Sequence, residues 1–375
     1  MDGSFKIIPF EERYYKTLIN LIKEGWNENH IFLKSEELLR WEYTGYGSLS
    51  GMHFPLLFDG EMLIGFRLMT PIEIMISKGN CGKTIVPTAV STVWFLKKEY
   101  RGKKLGLKMQ LYTIEKYNGY FAIASNLKTS APMHKKAGAK MLDTMFRYFR
   151  PLQEDISIML VEECGIPWKY NKPHNIIAPN AISAAELEEK WNNSIKGKNV
   201  TALNRSRAFW QWRYLDSPIY KYHIFKDVSG ILVGRICELY DVTEQKSKEK
   251  VFRILELIPE NSEVWDGKVD KSLSGFIDGV CGWAKEQGCI ATEFYLSTSR
   301  FDTVLNDASF VEINMHEPLA SSVMSYFEPM SSSHRLSNVT VLSSKLEDDF
   351  IFENSYFTLS DADQDRPNIK SLKYE

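Results

Sequence analysis

The chain has 375 residues, of which 44% are apolar, 13% aromatic and 25% charged, so it has more apolar material than one ordinary domain buries. Its 46 basic and 48 acidic residues give a net charge near -2, which excludes the uniformly basic surface of a general nucleic-acid or anionic-membrane binder. The length predicts two globular domains, and any basic site must be local.

Cysteine usage and hydropathy indicate a cytoplasmic protein. The five cysteines are an odd number, include no Cys-x-x-Cys pair and are spread over the chain, which is typical of reduced thiols. The sequence has no signal-peptide pattern and no run of about 18 apolar residues, so we expect neither secretion nor a membrane span. Its histidines and cysteines show no ligand spacing, and we predict that no metal is bound.

The first half of the chain shows strands first and then alternating strands and helices. Apolar alternation and helical spacing predict, in chain order, a strand at 5–10, helices at 11–26 and 35–43, strands at 54–58, 62–69, 72–76 and 84–96, a helix at 103–117, a strand at 120–125, a short helix at 130–136 and a strand at 141–152. Asp59 and Gly60, between two of these strands, are typical of a β-hairpin turn. The order predicts antiparallel strands followed by a β-α-β-α-β unit.

The second half repeats this order after a connecting segment. Prolines and polar residues at 153–199 predict the connection. The W-x-Y stretches that start at Trp41 and Trp212 each lie on a predicted helix, followed by a strand, a turn with Asp and Gly, and a strand with two apolar residues and a glycine. We therefore predict a tandem duplication, with a first domain over 1–152 and a second over 200–375. The aromatic residues of the second stretch are expected in the core.

A basic segment joins a strand to a helix in the first half. Such a junction leaves backbone N–H groups unpaired at the helix start, together with the positive end of the helix dipole. Gly102 and Gly106 let the backbone approach a bulky oxyanion. Arg101, Lys103 and Lys104 add positive charge. This pattern predicts a phosphate or diphosphate site, and the alternative is a solvated helix start that carries basic residues at the unfavourable end of the dipole.

Residues 99–106 resemble the R/Q-x-x-G-x-G/A turn of GCN5-related N-acetyltransferases, the GNAT superfamily. The order of elements is similar, as are Asn126 after the next strand, Ser130, and a short helix that closes at residues 136–139. The resemblance covers about residues 5–150. It implies an α+β (mixed α/β) fold with two tandem GNAT-like domains, each a mostly antiparallel central sheet flanked by helices.

The resemblance implies that the basic turn binds the diphosphate of an acyl-coenzyme A and that a splayed strand binds its pantetheine arm. Lys104 stands where the motif has its first glycine, so the charge is kept and the backbone residue differs. No such turn occurs at 260–271 in the second half, which is acidic, so we expect one coenzyme site and a second domain that binds the acceptor. The residues that the resemblance assigns to the coenzyme are Trp94, Phe95, Leu96, Tyr100, Arg101, Gly102, Lys103, Lys104, Leu105, Gly106, Asn126, Ser130 and Lys136.

Acyl transfer to an amine needs a neutral amine, a polarised thioester carbonyl and a proton for the leaving thiolate. By the resemblance, His134 stands where the superfamily often has a tyrosine that protonates the sulfur, and a histidine can donate a proton near neutral pH. The alternative is an exposed histidine on a short basic helix. Glu73, on a strand expected to face the opening, is the candidate base, and the alternative is a carboxylate that faces solvent. A sugar amine can also attack without a dedicated base.

Three residues are candidates for substrate binding: His53 near the hairpin, and Asp361 and Asp363 in an acidic segment that follows an aromatic strand. These carboxylates would bind an amino-sugar cation or its hydroxyls, and the alternative is a solvated acidic terminus.

The W-R-Y-L helix that starts at Trp212 resembles that of tandem GNAT members which are bacterial sugar N-acyltransferases. The resemblance implies transfer of an acetyl or hydroxybutanoyl group from acyl-coenzyme A to the amine of a nucleotide-linked amino-dideoxy sugar, for O-antigen or capsule biosynthesis. The partners would then be small molecules, with no nucleic acid and no membrane. Two alternatives stay open, a tandem enzyme that takes its acyl group from aminoacyl-tRNA and a non-catalytic acyl-coenzyme A-binding protein. The sugar, the acyl chain and the oligomeric state also stay open.

Overall fold

The structure is a computed structural model that describes residues 5–25, 28, 30–166, 168, 170–240, 246–317, 336–343 and 352–365. The helices in this part are α1 (Tyr15–Gly25), α2 (Glu36–Thr44), α3 (Leu105–Tyr117), α4 (Ser130–Lys136), α5 (Glu154–Cys164), α6 (Ala184–Ser194), α7 (Arg207–Trp210), α8 (Lys271–Glu286) and α9 (Asp302–Asp307). The strands are β1 (Phe5–Pro9), β2 (Pro55–Asp59), β3 (Met62–Lys78), β4 (Lys83–Leu96), β5 (Tyr120–Ile123), β6 (Lys140–Leu142), β7 (Phe146–Pro151), β8 (Asn199–Leu203), β9 (His223–Lys226), β10 (Gly230–Tyr240), β11 (Lys246–Pro259), β12 (Cys289–Leu296), β13 (Val311–Ile313), β14 (Val339–Leu342) and β15 (Ser355–Tyr356).

The first sheet has the strand order β1-β2-β3-β4-β5-β14-β6, and β8 pairs with the far end of β3 and with β15. Its neighbours are antiparallel except for β4 with β5 and β8 with β15. Asp59 pairs with Met62 across a turn in which Gly60 has φ 60°, so the predicted hairpin is confirmed. Two strands were expected at 62–69 and 72–76. The structure has a single strand, β3, across both ranges. Pro71 does not interrupt it, because proline fits an extended backbone and removes only one N–H donor from the pairing with β4.

The second sheet has the order β13-β7-β12-β11-β10-β9, and its one parallel pair in the described residues is β11 with β12. In both sheets a central parallel pair is joined through a crossover helix, β4 and β5 through α3 in the first and β11 and β12 through α8 in the second. Each sheet is therefore mostly antiparallel, with one β-α-β unit near its centre.

Each sheet contains a strand from the other half of the chain, and the first sheet also holds β8 and β15 from residues 199 onward. From the second half of the chain, β14 lies between β5 and β6, with Val339 opposite both Ile123 and Leu142. From the first half, β7 lies between β12 and β13. The division of the chain into domains at residues 152 and 199 therefore stays a proposal. β14 comes from the second half and pairs in the first sheet, while β7 comes from the first half and pairs in the second sheet.

The two W-x-Y stretches meet between α2 and the π-helical turn Gln211–Leu215 that continues α7. The rings of Trp41 and Trp212 stack with 5.3 Å between centroids and 23° between planes. Trp41 Nε1 donates to Trp212 O at 2.9 Å, and Trp212 Nε1 donates to Trp41 O at 3.0 Å. The contact is reciprocal, as expected where two copies of one unit face each other, and it supports the predicted duplication. The expected core position holds for Tyr214, while Trp212 is only partly buried.

Apolar side chains hold the elements around both sheets. Residues of α1 and α2, among them Leu18 and Leu39, pack on one face of the first sheet, and Leu105 and Met109 of α3 pack on the other. A larger cluster fills the second half and extends to Phe121 of β5. Burial of this area fixes the ends of β4 and β5 and the start of α3 relative to one another.

We expect the strand exchange to hold the halves together after the chain is cut. A protease site inserted after Lys172, in the exposed segment between α5 and α6, would produce two fragments, each of which supplies a strand to the other's sheet. Native gel filtration of the cleaved protein should give one peak at the position of the uncut protein, while denaturing electrophoresis shows two bands. Two native peaks would mean that the exchanged strands do not hold the two fragments together after cleavage.

Candidate functional site

The central feature of the first sheet is a wedge between β4 and β5. Among the described residues these parallel strands pair at one position, Val90 with Phe121. Beyond it β4 continues to Leu96, held on its other edge by β3, where Trp94 lies opposite Arg67. The edge of Trp94–Leu96 that faces β5 therefore has main-chain groups outside the sheet ladder, which is the opening expected for a pantetheine arm.

The basic turn lies just beyond the end of β4. Arg101, Gly102, Lys103 and Lys104 are all exposed, and α3 begins at the next residue. The N-cap side chain makes no hydrogen bond and the first turn of α3 has no acidic residue, so its N–H groups have no side-chain partner of the usual capping kind. The arrangement is a positively charged turn that precedes an uncapped helix start.

Lys104 has φ 59° and ψ 12°, the left-handed conformation that glycine adopts without steric cost. For a residue with a side chain this conformation costs about 1–2 kcal/mol. Residue 104 thus has a backbone conformation that glycine would adopt at lower cost, and the lysine side chain adds a positive charge at the turn.

Close contacts anchor the turn to the sheet. A Cβ at Gly106 would lie 3.2 Å from Cζ2 of Trp94, so a side chain there would displace the indole. Tyr100 Oη donates to Asp59 at 3.1 Å, and Arg101 Nε donates to the carbonyl of Leu96 at 3.0 Å. The Tyr100 bond ties the turn to the hairpin after β2, and the Arg101 bond ties it to the end of β4 at the wedge.

Asn126, Ser130 and Lys136 lie at the two ends of α4. Asn126 Oδ1 accepts the N–H groups of residues 128 and 129, and Ser130 Oγ donates to the carbonyl of Asn126. These bonds give Asn126 a local role in starting the helix, while Lys136 is exposed at its end. Their assignment to the coenzyme stays a prediction.

A buried polar cluster lies under the wedge, and sequence reasoning identified only His134 in it. Gln110 Nε2 donates to Tyr120 Oη at 2.7 Å, and Tyr120 Oη lies 2.5 Å from His134 Nδ1. Because the tyrosine oxygen already accepts from the amide, its own proton is directed to the imidazole. His134 is therefore buried and hydrogen-bonded, not exposed on a basic helix as the alternative reading expected.

Burial, together with the smaller effect of the nearby Arg67 guanidinium, lowers the pKa of His134 to about 3. With this pKa only about one molecule in ten thousand carries the imidazolium at pH 7. The argument that His134 is a ready proton donor near neutral pH therefore fails in this environment. The ring is a neutral acceptor for Tyr120, and a direct catalytic role stays a prediction.

The structure does not bring Glu73 to the wedge. It lies six residues along β3 from Arg67, on the order of 20 Å away, on the far side of the Val90 pair. Its carboxylate accepts from Ser48 N at 3.1 Å and Asn204 Nδ2 at 3.0 Å. Glu73 joins β3 to the loop after α2 and to the second half, which explains a carboxylate there without base catalysis.

The candidate substrate residues are also dispersed. His53 is exposed just before β2. Asp361 is buried, and both its oxygens accept from Arg205 Nη2, at 2.9 and 3.0 Å, so this carboxylate is neither solvated nor open to a ligand. Asp363 is partly buried and accepts from Gln364 Nε2 at 2.9 Å. The acidic segment packs inward because arginines in the second half neutralise it.

The second sheet fills its corresponding wedge with its own chain. Its parallel strands pair up to Ile254 and Phe294, and beyond this point Tyr356 approaches β11. Tyr356 Oη accepts from Leu257 N at 2.8 Å and donates to Leu257 O at 3.2 Å. A side chain thus satisfies the main-chain groups that remain open in the first wedge.

A buried ion cluster supports Tyr356, the residue that fills the second wedge and is called the plug below. Arg205 lies between Asp361 and Glu256, with Nε 3.1 and 3.2 Å from the two Glu256 oxygens. Burial raises the pKa of Glu256 to about 7, an effect that Arg205 opposes and Asp361 reinforces. Tyr214 Oη donates to Glu256 at 2.9 Å, so the W-x-Y turn is bonded to the same cluster.

An open pocket of about 560 Å³ lies where the two halves meet. Trp41 and Trp212 form its aromatic wall, and the other lining residues are Glu36, Glu37, Arg40 and Thr44. Because the tryptophans belong to different halves, no pattern local to either stretch indicates the pocket. Across the residues the structure describes, no cluster of His, Cys, Asp and Glu could hold a metal ion, and no helix is long and apolar enough to cross a membrane.

The comparisons with known proteins bear on the fold. No family model matches the chain and no curated protein matches its sequence. The chain is similar to a GCN5-related N-acetyltransferase from Anabaena variabilis, with a TM-score of 0.52 and 12% identity over 90% of this chain and 72% of that one. It is also similar to a conserved protein of unknown function from Enterococcus faecalis, titled a probable N-acyltransferase, with a TM-score of 0.54 and 10% identity over 91% and 72% of the two chains. These likenesses confirm the predicted fold class.

The low pKa of His134 predicts a loss of stability in acid. The unfolded chain binds a proton at this residue below about pH 6.5, and the folded chain does so only near pH 3, so the free energy of unfolding falls as pH decreases between these values. From pH 7 to pH 4.5 we expect the wild type to lose about 2 kcal/mol more than His134→Asn, whose amide oxygen can accept from Tyr120 but does not titrate. Denaturant unfolding at several pH values measures this difference, and equal losses would contradict the buried neutral ring.

Proposed function

We propose that the chain is an acyl-coenzyme A-dependent N-acyltransferase. The observation that carries the proposal is the wedge itself, in which β4 leaves β5 after one pair and ends at a basic turn before an uncapped helix. A ligand with a diphosphate at one end and an amide-containing arm at the other matches both parts. The fold shared with two acyltransferase-like structures supports the same reading.

The coenzyme binds with its diphosphate at residues 101–106. The N–H groups at the start of α3 donate to the phosphate oxygens, and Arg101, Lys103 and Lys104 add charge attraction. The pantetheine amides pair with the open edge of Trp94–Leu96, as a short additional strand would. The Arg101 bond to Leu96 and the close approach of Gly106 to Trp94 hold the turn close enough to the strand for one ligand to reach both.

The chemistry is direct attack of an amine on the thioester. The amine nitrogen forms a bond to the carbonyl carbon, the C–S bond breaks, the thiolate takes a proton and the nitrogen loses one. Backbone N–H groups of Trp94–Leu96 polarise the carbonyl oxygen. Neither Glu73 nor His134 is needed as a charged partner in this scheme.

The acceptor we propose is a nucleotide-linked amino-dideoxy sugar, with an acetyl or hydroxybutanoyl donor, in bacterial surface polysaccharide synthesis. The pocket between Trp41 and Trp212 supports this proposal, because indole faces stack on sugars and bases and Glu37 can attract an amine, while Glu36 is paired with Arg40. The second half holds the acceptor and no coenzyme, which the plug at Tyr356 supports.

A thiol-release assay tests the function. The protein is mixed with acetyl-coenzyme A and a panel of nucleotide-linked amino sugars, and free thiol is followed with time. We expect release that depends on the sugar. Coenzyme binding without release for any amine would favour a non-catalytic binder, and release only with an aminoacyl-tRNA donor system would favour the ligase alternative.

A charge variant tests the coenzyme site. Arg101→Ala with Lys104→Gly removes two charges, and glycine keeps the left-handed backbone at residue 104. At about 1.5 kcal/mol for each charged contact, the dissociation constant for coenzyme A should rise about a hundredfold in calorimetry. As the control, Lys268→Ala with Lys271→Ala removes the same charge at the matching junction of the second half and should leave affinity unchanged. If the site variant and the control variant bind coenzyme A with the same affinity, the diphosphate does not bind at residues 101–106.

A further inference from the structure

Arg67 occupies an unusual place at the base of the wedge. Its guanidinium carbon lies 4.7 Å from the centre of the Trp94 ring on β4 and 4.3 Å from that of the Tyr120 ring on β5, and the residue is 0% exposed. Nε donates to Ser91 Oγ at 2.9 Å. The group is thus held between the two strands at the level where they part.

The two terminal nitrogens of Arg67 are buried and form no hydrogen bond of normal geometry with the described residues, and the polar group that interacts with the guanidinium is the Tyr120 hydroxyl. No Asp or Glu of that part of the chain forms an ion pair with it, unlike Arg205, which has two carboxylates. Burial lowers the pKa of Arg67 to about 10, so the group still carries its charge at pH 7. The rings of Trp94 and Tyr120 stabilise a cation only in part.

An unpaired buried charge is costly, and such costs are retained where a ligand relieves them. Two parallel N–H donors in one plane match the two oxygens of a carboxylate. The geometry therefore indicates which ligand would complete Arg67, namely a small group with a negative charge and two oxygens.

The order of sites along β4 places this group relative to the coenzyme. A thioester whose diphosphate lies at residues 101–106 and whose arm lies along Trp94–Leu96 runs toward Val90, where the wedge closes. Ser91, and with it Arg67, lies beyond the arm and next to that closed end. The part of the ligand that reaches Arg67 is therefore the acyl group.

We propose that the acyl group which this protein accepts carries a carboxylate, and that Arg67 binds it through its two terminal nitrogens. The inference rests on the proposed function, since it uses the coenzyme path along β4. The donor class is a dicarboxylic acid joined to coenzyme A through one of its carboxyl groups, and it replaces the acetyl or hydroxybutanoyl donor proposed above.

Calorimetry with three probes tests the proposal: coenzyme A, acetyl-coenzyme A and succinyl-coenzyme A. In the wild type we expect succinyl-coenzyme A to bind about 10- to 100-fold more tightly than acetyl-coenzyme A, which corresponds to one desolvated charged contact. In Arg67→Met this ratio should fall to about one. Arg67→Lys, which keeps the charge and loses the paired donors, should give an intermediate ratio.

Stability provides a second readout. Methionine has a similar length and no charge, so Arg67→Met should unfold at a temperature equal to or above that of the wild type, whereas loss of a purely structural arginine would lower it. A wild-type ratio near one, with coenzyme A still bound, overturns the carboxylate proposal and leaves the proposed function intact. Failure of all three probes to bind overturns the proposed function itself.

Discussion

A strand that leaves its neighbour inside a sheet retains N–H and C=O groups that need partners, and this requirement governs both halves of the protein. In the second half the hydroxyl of Tyr356 satisfies Leu257 from within the chain. In the first half β4 parts from β5 at Val90 and keeps an open edge. The two sheets thus have nearly the same strand order but differ in what they can bind. The difference is that Tyr356 occupies the edge of β11, whereas the corresponding edge of β4 is open.

The pairing of buried charges also differs between the two halves. In the second half buried arginines meet buried carboxylates, as Arg205 does with Glu256 and Asp361. In the first half Arg67 has aromatic rings and a serine but no carboxylate in the described residues. These buried charges of the second half are therefore paired, partly by Arg147 and Arg150 of β7, while the first half retains an open edge and a buried charge at the same place.

Local patterns in the sequence were sufficient for most of the elements and the hairpin at Asp59, because hydrophobic period and turn residues act over a few positions, but they divided β3 into two strands and joined β6 and β7 into one. They could not show that β7 and β14 change sheets, because strand pairing over long separations leaves no local pattern. The candidate base and the acidic segment failed for a related reason, since Asn204 and Arg205, which bind them, lie far away in sequence. Arg67 did carry a signal, as a lone charge inside an apolar strand.

The strand exchange has a consequence for how the chain folds during synthesis. Ile123 can pair with Val339 only after the ribosome has made nearly all of the second half, so the edge of β5 stays uncovered until then. Such late, non-local pairing slows folding and exposes apolar strand edges to aggregation. Chaperones that shield nascent chains would then determine how much active protein a cell obtains.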